Sequence, residues 1–180
     1  MSTGFKEFLH EQALKHQAEA EAAKAAVAEW RAAINALFHQ LRQWLKESDP
    51  DGLIEIEDSE QEIKEPGLGR YKVPRLNLQV FGKWIGIIPK AYRSVGIAKP
   101  PRKNAPEHAK GRIDITDELR RYVLYRFQEN GSDVWYIDGL DHGHDISEKR
   151  WPGQVEHVPR FDPVPLTAEA FEKALMSYLR

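Results

Sequence analysis

Asp141-His142-Gly143-His144-Asp145 is the densest group of metal-capable side chains in this 180-residue chain. Imidazole and carboxylate together suit Zn²⁺, Mn²⁺ or Fe²⁺, and a His-x-His pair on an extended segment turns both rings to one side. The group directly follows Asp138-Gly139, however. Asp, Gly and His also recur in turns, where they accept unusual backbone angles and bond locally. No spacing rule brings His108 or His157 in as a further ligand. A polar hairpin loop is therefore the expected reading. A metal-dependent hydrolase centred on Asp141, His142, His144 and Asp145 is the more demanding alternative.

A second group is basic. Lys90, Arg93, Lys99, Arg102, Lys103, Lys110 and Arg112 face only Glu107 across residues 90–112, and Pro100, Pro101 and Pro106 deny the stretch periodicity. Long loops in small domains are usually functional or mobile. Such charges can hold nucleic-acid phosphates without reading sequence. Single-strand binders add aromatic platforms, and only Tyr92 lies in this stretch. A solvated insertion is expected, with a nucleic-acid-associated accessory protein as the alternative.

Asp114 invites comparison with metal-dependent nucleases, which place a Glu-x-Lys on the following strand. The next strand, Tyr122-Val123-Leu124-Tyr125-Arg126-Phe127, supplies neither residue. There is no phosphate-cradling glycine loop, nucleophile elbow or His-Glu-x-x-His. Cysteine is absent, which removes disulfides, thiolate nucleophiles and Cys-ligated metals. The residues point to no catalytic group and no cofactor.

Composition narrows the classes further. Net charge is −2 and the pI is near 6.4, so no global basic field recruits nucleic acid. No run of about 18 apolar residues is present to span a membrane. The N-terminus opens with Lys6, Glu7 and Glu11 rather than an apolar leader. A cytoplasmic protein without membrane contact is expected.

The elements that must position any site begin with a helix over residues 1–48. Val27, Trp30, Ile34, Leu37, Leu41 and Trp44 recur at alternating threes and fours, a heptad seam of coiled-coil type. Stepping backwards gives Ala23, Ala20, His16, Ala13 and Leu9. From Ala13 to Ala36, 11 of 24 residues are alanine, which secures the helix but buries little area. Residues 30–45, widened by Phe38 and Leu45, are expected to dock on the chain's own β domain. Leu9, Ala13, His16, Ala20, Ala23 and Val27 are then left for self-association or a partner protein. Trp151, in a polar loop without a periodic partner, is a further candidate contact or a capping lid.

Residues 53–158 change to period two. Leu53–Glu57 reads as a short strand and the acidic run Glu57–Glu65 as a solvated loop. Two apolar runs flank Gly82-Lys83, predicting a type II′ hairpin. Asn130-Gly131 between Arg121–Gln128 and Val134–Asp138 predicts a second hairpin. Gly111–Thr116 adds a strand, and Gln154–Val158 a last edge strand. Residues 166–180 form a short helix capped by Thr167, with Leu166 stapled onto Phe171. The fold expected is α+β: a long N-terminal helix, a six- to seven-stranded antiparallel sheet as sandwich or open barrel, and a C-terminal helix packed on it. The function expected is a non-enzymatic interaction module, or an accessory subunit of a larger assembly, associating through its N-terminal helix.

Overall fold

A computed structural model of the chain describes residues 3–93, 109–139 and 163–180. Helix α1 runs from Thr3 to Ser48. Six strands follow: β1 (Glu55–Glu65), β2 (Gly69–Val80), β3 (Lys83–Ala91), β4 (Arg112–Thr116), β5 (Arg121–Glu129) and β6 (Ser132–Asp138). The short β7 (Val164–Pro165) and helix α2 (Ala168–Leu179) complete the chain. Among the described residues all strands lie in one antiparallel sheet in the order β1-β2-β3-β4-β5-β6-β7. The α+β expectation holds, as an open seven-stranded sheet rather than a sandwich.

The heptad seam explains where the core sits. Trp30, Ala33, Ile34, Leu37, Phe38, Leu41 and Leu45 are all buried against one face of the sheet. Each large side chain among them stabilises by roughly 1.5–3 kcal/mol. That face supplies Leu76, Leu78, Ile85, Ile87, Ile113, Ile115, Tyr122, Leu124 and Ile137. From α2 come Phe171, Ala174, Leu175 and Tyr178, with Tyr178 rather than the half-buried Leu179 closing the helix's inner stripe.

Thr167 caps α2 by accepting the Ala170 N–H at 3.1 Å. At its other end, Lys83 donates to the Tyr178 and Leu179 carbonyls, and Arg120 to that of Ser177. These cations satisfy carbonyls that lack helical partners and complement the negative end of the helix.

Two local expectations are corrected. The acidic run is not a loop: Glu57–Glu65 is the greater part of β1, paired residue by residue with β2 from Glu55↔Gln79 to Glu65↔Gly69. Its charges line an edge strand that is largely solvated, which hid the alternation from the sequence. The β2–β3 turn is type I′ rather than II′, because Phe81 and Gly82 both have positive φ, 50° and 78°. The Asn130-Gly131 turn has the expected form, with φ of 51° and 79°. The strand proposed at Gln154–Val158 lies outside the described residues.

The β1–β2 hairpin bends. Its buried positions pass from even (Leu76, Leu78) to odd (Tyr71, Val73) across Pro74. This brings the hairpin tip alongside the middle of α1, where Arg31 Nε donates to the Lys72 carbonyl at 2.6 Å.

Candidate association surface

Alanine keeps α1 helical from Ala13 to Ala28, but its small side chains offer the sheet little area to bury. The result is a helix held at one end only. Leu9, Ala13, His16 and Ala20 are exposed, and Ala23 and Val27 half-buried. Phe5, Phe8, Leu9 and Leu14 are 64%, 52%, 52% and 55% exposed, a concentration of large apolar side chains rare on a free helix. Phe5, Phe8 and Leu9 fall within the stripe that later carries Trp30, Ile34 and Leu41, by the 3.6-residue period. Phe5 and Phe8 escape strict heptad stepping because Lys6, not an apolar residue, occupies the step before Leu9.

The point where α1 leaves the sheet is heavily tied. Trp30 stacks on Trp135 at 6.2 Å and tilts against Tyr92 at 6.3 Å. Its ring lies on Gly111, where an added Cβ would come within 2.5 Å of it. Beside it, Glu29 Oε1 accepts from Arg126 Nη2 and Gln128 Nε2, both at 2.8 Å, and Oε2 accepts from the Tyr92 hydroxyl at 3.1 Å. Arg126 is 1% exposed and also donates from Nε to Asp133 at 2.8 Å. The hydrogen bond from Arg126 holds the Glu29 carboxyl below its ordinary pKa, against partial burial. Arg126 shares a strand face with Tyr122 and Leu124, so the alternation could have marked it as a buried cation.

Behind Trp30 the hairpin tip is fastened by Glu65. Its carboxylate accepts the Tyr71 hydroxyl and the backbone N–H groups of Tyr92 and Arg93. Burial, then the hydrogen bond to Glu65 and after it the Glu65 charge, push the Tyr71 hydroxyl far above its ordinary pKa. Between this tip and α1 opens a cavity of about 510 Å³, lined by Ala20, Ala23, Val27, Leu68 and Tyr71 among others. Sequence reading found its helical wall and missed the hairpin wall, which only the bend at Pro74 brings into place.

The other candidates divide at the edge of the described residues. Of the basic set, Lys90 and Arg93 are exposed at the end of β3. Lys110 donates to Gln128 at 2.5 Å, and Arg112 engages Asp114 through two bonds at 2.8 and 3.2 Å. Asp114 is buried on the sheet face opposite α1, with Arg121 at 3.9 Å. Its carboxylate is thus bound by guanidinium. Lys99, Arg102, Lys103, Asp141, His142, His144, Asp145 and Trp151 lie outside the described residues. Among the described residues no three His, Asp or Glu side chains converge to hold a metal, and no helix is long and apolar enough to cross a membrane. Neither a family model, nor a curated protein, nor a solved structure matches the chain.

Proposed function

We propose that the protein is an interaction module that associates through the free half of α1, residues 3 to about 27. One observation carries the reading. Phe5, Phe8 and Leu9 stand exposed on the stripe that the same helix uses to bury Trp30, Ile34 and Leu41. Leaving such side chains in water forfeits burial that a helical partner would supply, about 25 cal/mol per Å² of apolar surface. A clamp of ion pair and aromatic stack at Glu29 and Trp30 holds the free half in a fixed direction, which lowers the entropy lost on docking.

Deleting residues 1–26 tests this. The truncated chain is expected to keep its thermal stability, because the removed segment contributes nothing to the core. It is also expected to lose mass by light scattering, or to lose capture of its partner. Collapse of stability with unchanged mass would make the segment an ordinary part of the monomer and end the proposal.

A further inference from the structure

We infer that the occupant of the free helical face is a second copy of this chain, running antiparallel so that Leu9 of each copy lies against Val27 of the other. This assignment rests on the association reading above and adds the partner and its direction. The seam residues Leu9, Ala13, His16, Ala20, Ala23 and Val27 are separated by steps of four, three, four, three and four. That series reads the same in both directions, so a reversed seam superposes on itself. Leu9 then meets Val27, Ala13 meets Ala23, and His16 meets Ala20. Each pair occurs twice about a two-fold axis, the self-complementary geometry of a closed dimer.

The fold excludes the parallel alternative. From Trp30 onward the same stripe is covered by the chain's own sheet. A parallel partner would follow that stripe into the volume of the β domain and carry its own domain into the same space. An antiparallel partner in this register overlaps the covered stripe only by its first turn, residues 3–6 opposite residues 30–33. The register that pairs Leu9 with Val27 carries Phe5 and Phe8 of the second copy to the level of Arg31 and Ala28. Those residues line the cavity whose far wall is Leu68, Arg70 and Tyr71. Two exposed phenylalanines of one copy thus arrive at the cavity of the other, where Val27, Leu68 and Tyr71 lie among Lys24, Arg31 and Arg70.

Size sets the strength. Residues 5–31 of each copy pair over about 40 Å of helix, in a strip roughly 10 Å wide, with the hairpin wall in addition. About 1,000 Å² in total is removed from water, the threshold for a specific interface rather than the area of an obligate one. Alanine layers allow close approach but add little area. Near the axis the two Glu19 side chains approach one another, each with His16 of its own helix 3.6 Å away. The dimer is accordingly expected to be concentration-dependent in the micromolar range.

The chain has no cysteine, so introduced thiols are the only ones present. Under mild oxidation the full chain carrying Leu9→Cys and Val27→Cys is expected to give a disulfide-linked dimer, and Leu9→Cys alone to stay uncrosslinked. Within one chain the two positions are about 27 Å apart along the helix and cannot bridge. A second pair, Ala13→Cys with Ala23→Cys, lies in the same register and outside the packed core, which separates register from any folding defect. Efficient crosslinking of Leu9→Cys alone would show parallel pairing and overturn the inference. So would a dimer by light scattering in which neither double variant crosslinks. A monomer at every concentration overturns the second copy as partner. It leaves association with a different protein to be decided by the stability and capture readouts of the deletion.

Discussion

The two halves of α1 share one stripe, one register and one unbroken run of hydrogen bonds, yet only one of them belongs to the core. Residues 30–45 present Trp30, Ile34, Leu37, Phe38 and Leu41, which find Leu76, Ile87, Ile113 and Ile137 on the sheet. Residues 5–27 carry the stripe on in alanine, with only Val27 packed on the core and Phe5, Phe8 and Leu9 exposed at the far end. Helicity and position therefore have separate causes. Backbone propensity makes both halves helical, while side-chain volume decides which half the domain retains. A helix can be well formed along its whole length and still be half unemployed.

The contrast is sharpest for matched truncations of aromatic residues. Trp30→Ala should cost about 3–5 kcal/mol in denaturant unfolding, since it empties a fully buried site between Trp135, Tyr92 and Gly111. Phe8→Ala should change monomer stability by less than about 0.5 kcal/mol while weakening self-association. Equal losses in the two variants would erase the distinction between the halves.

Gly111→Ala probes the boundary from the sheet side. The added methyl would fall 2.5 Å from the Trp30 ring, so the tryptophan must shift. A loss of about 1–3 kcal/mol in thermal unfolding is expected. A neutral result would mean that Trp30 does not fix the point of departure.

Glu29→Gln should cost less than either core change, below about 1 kcal/mol at neutral pH, because the carboxylate is 43% exposed and Asp133 still holds Arg126. Its sign with pH is fixed. A carboxyl with a depressed folded pKa stabilises above its unfolded value of 4.5 and loses that contribution as pH falls through the lower folded value. The stability difference between wild type and Glu29→Gln should be present at pH 7 and vanish in acid below that range. A difference that persists unchanged in strong acid would remove the ion pair from the clamp.

Much of this was legible in the chain. Asn130-Gly131 announces its hairpin because few residues accept two consecutive positive φ angles. Thr167 announces α2, and the spacing of Trp30 to Trp44 announces the docked helix. Phe81 did the opposite: an aromatic residue at positive φ is unfavourable in isolation, so the turn type was misread. The acidic strand β1 was hidden because its pairing partner, not its own pattern, makes it a strand. The candidate association surface was half legible. Its heptad came from spacing alone. The walls formed by Leu68, Arg70 and Tyr71, and the Glu29–Arg126 clamp, depend on contacts between segments far apart in sequence.

The acidity of β1 reaches beyond its own hairpin. As the first strand in the sheet order, it leaves one row of backbone donors and acceptors without a neighbouring strand among the described residues, the kind of edge along which β proteins polymerise. Glu55, Glu57, Asp58, Glu60 and Glu62 give that edge a dense negative charge. A second edge of the same sign laid against it would be repelled along its length. The opposite margin, β7, is only two residues long. The acidic border at β1 thus resists strand addition, while the helix of the same molecule stays open.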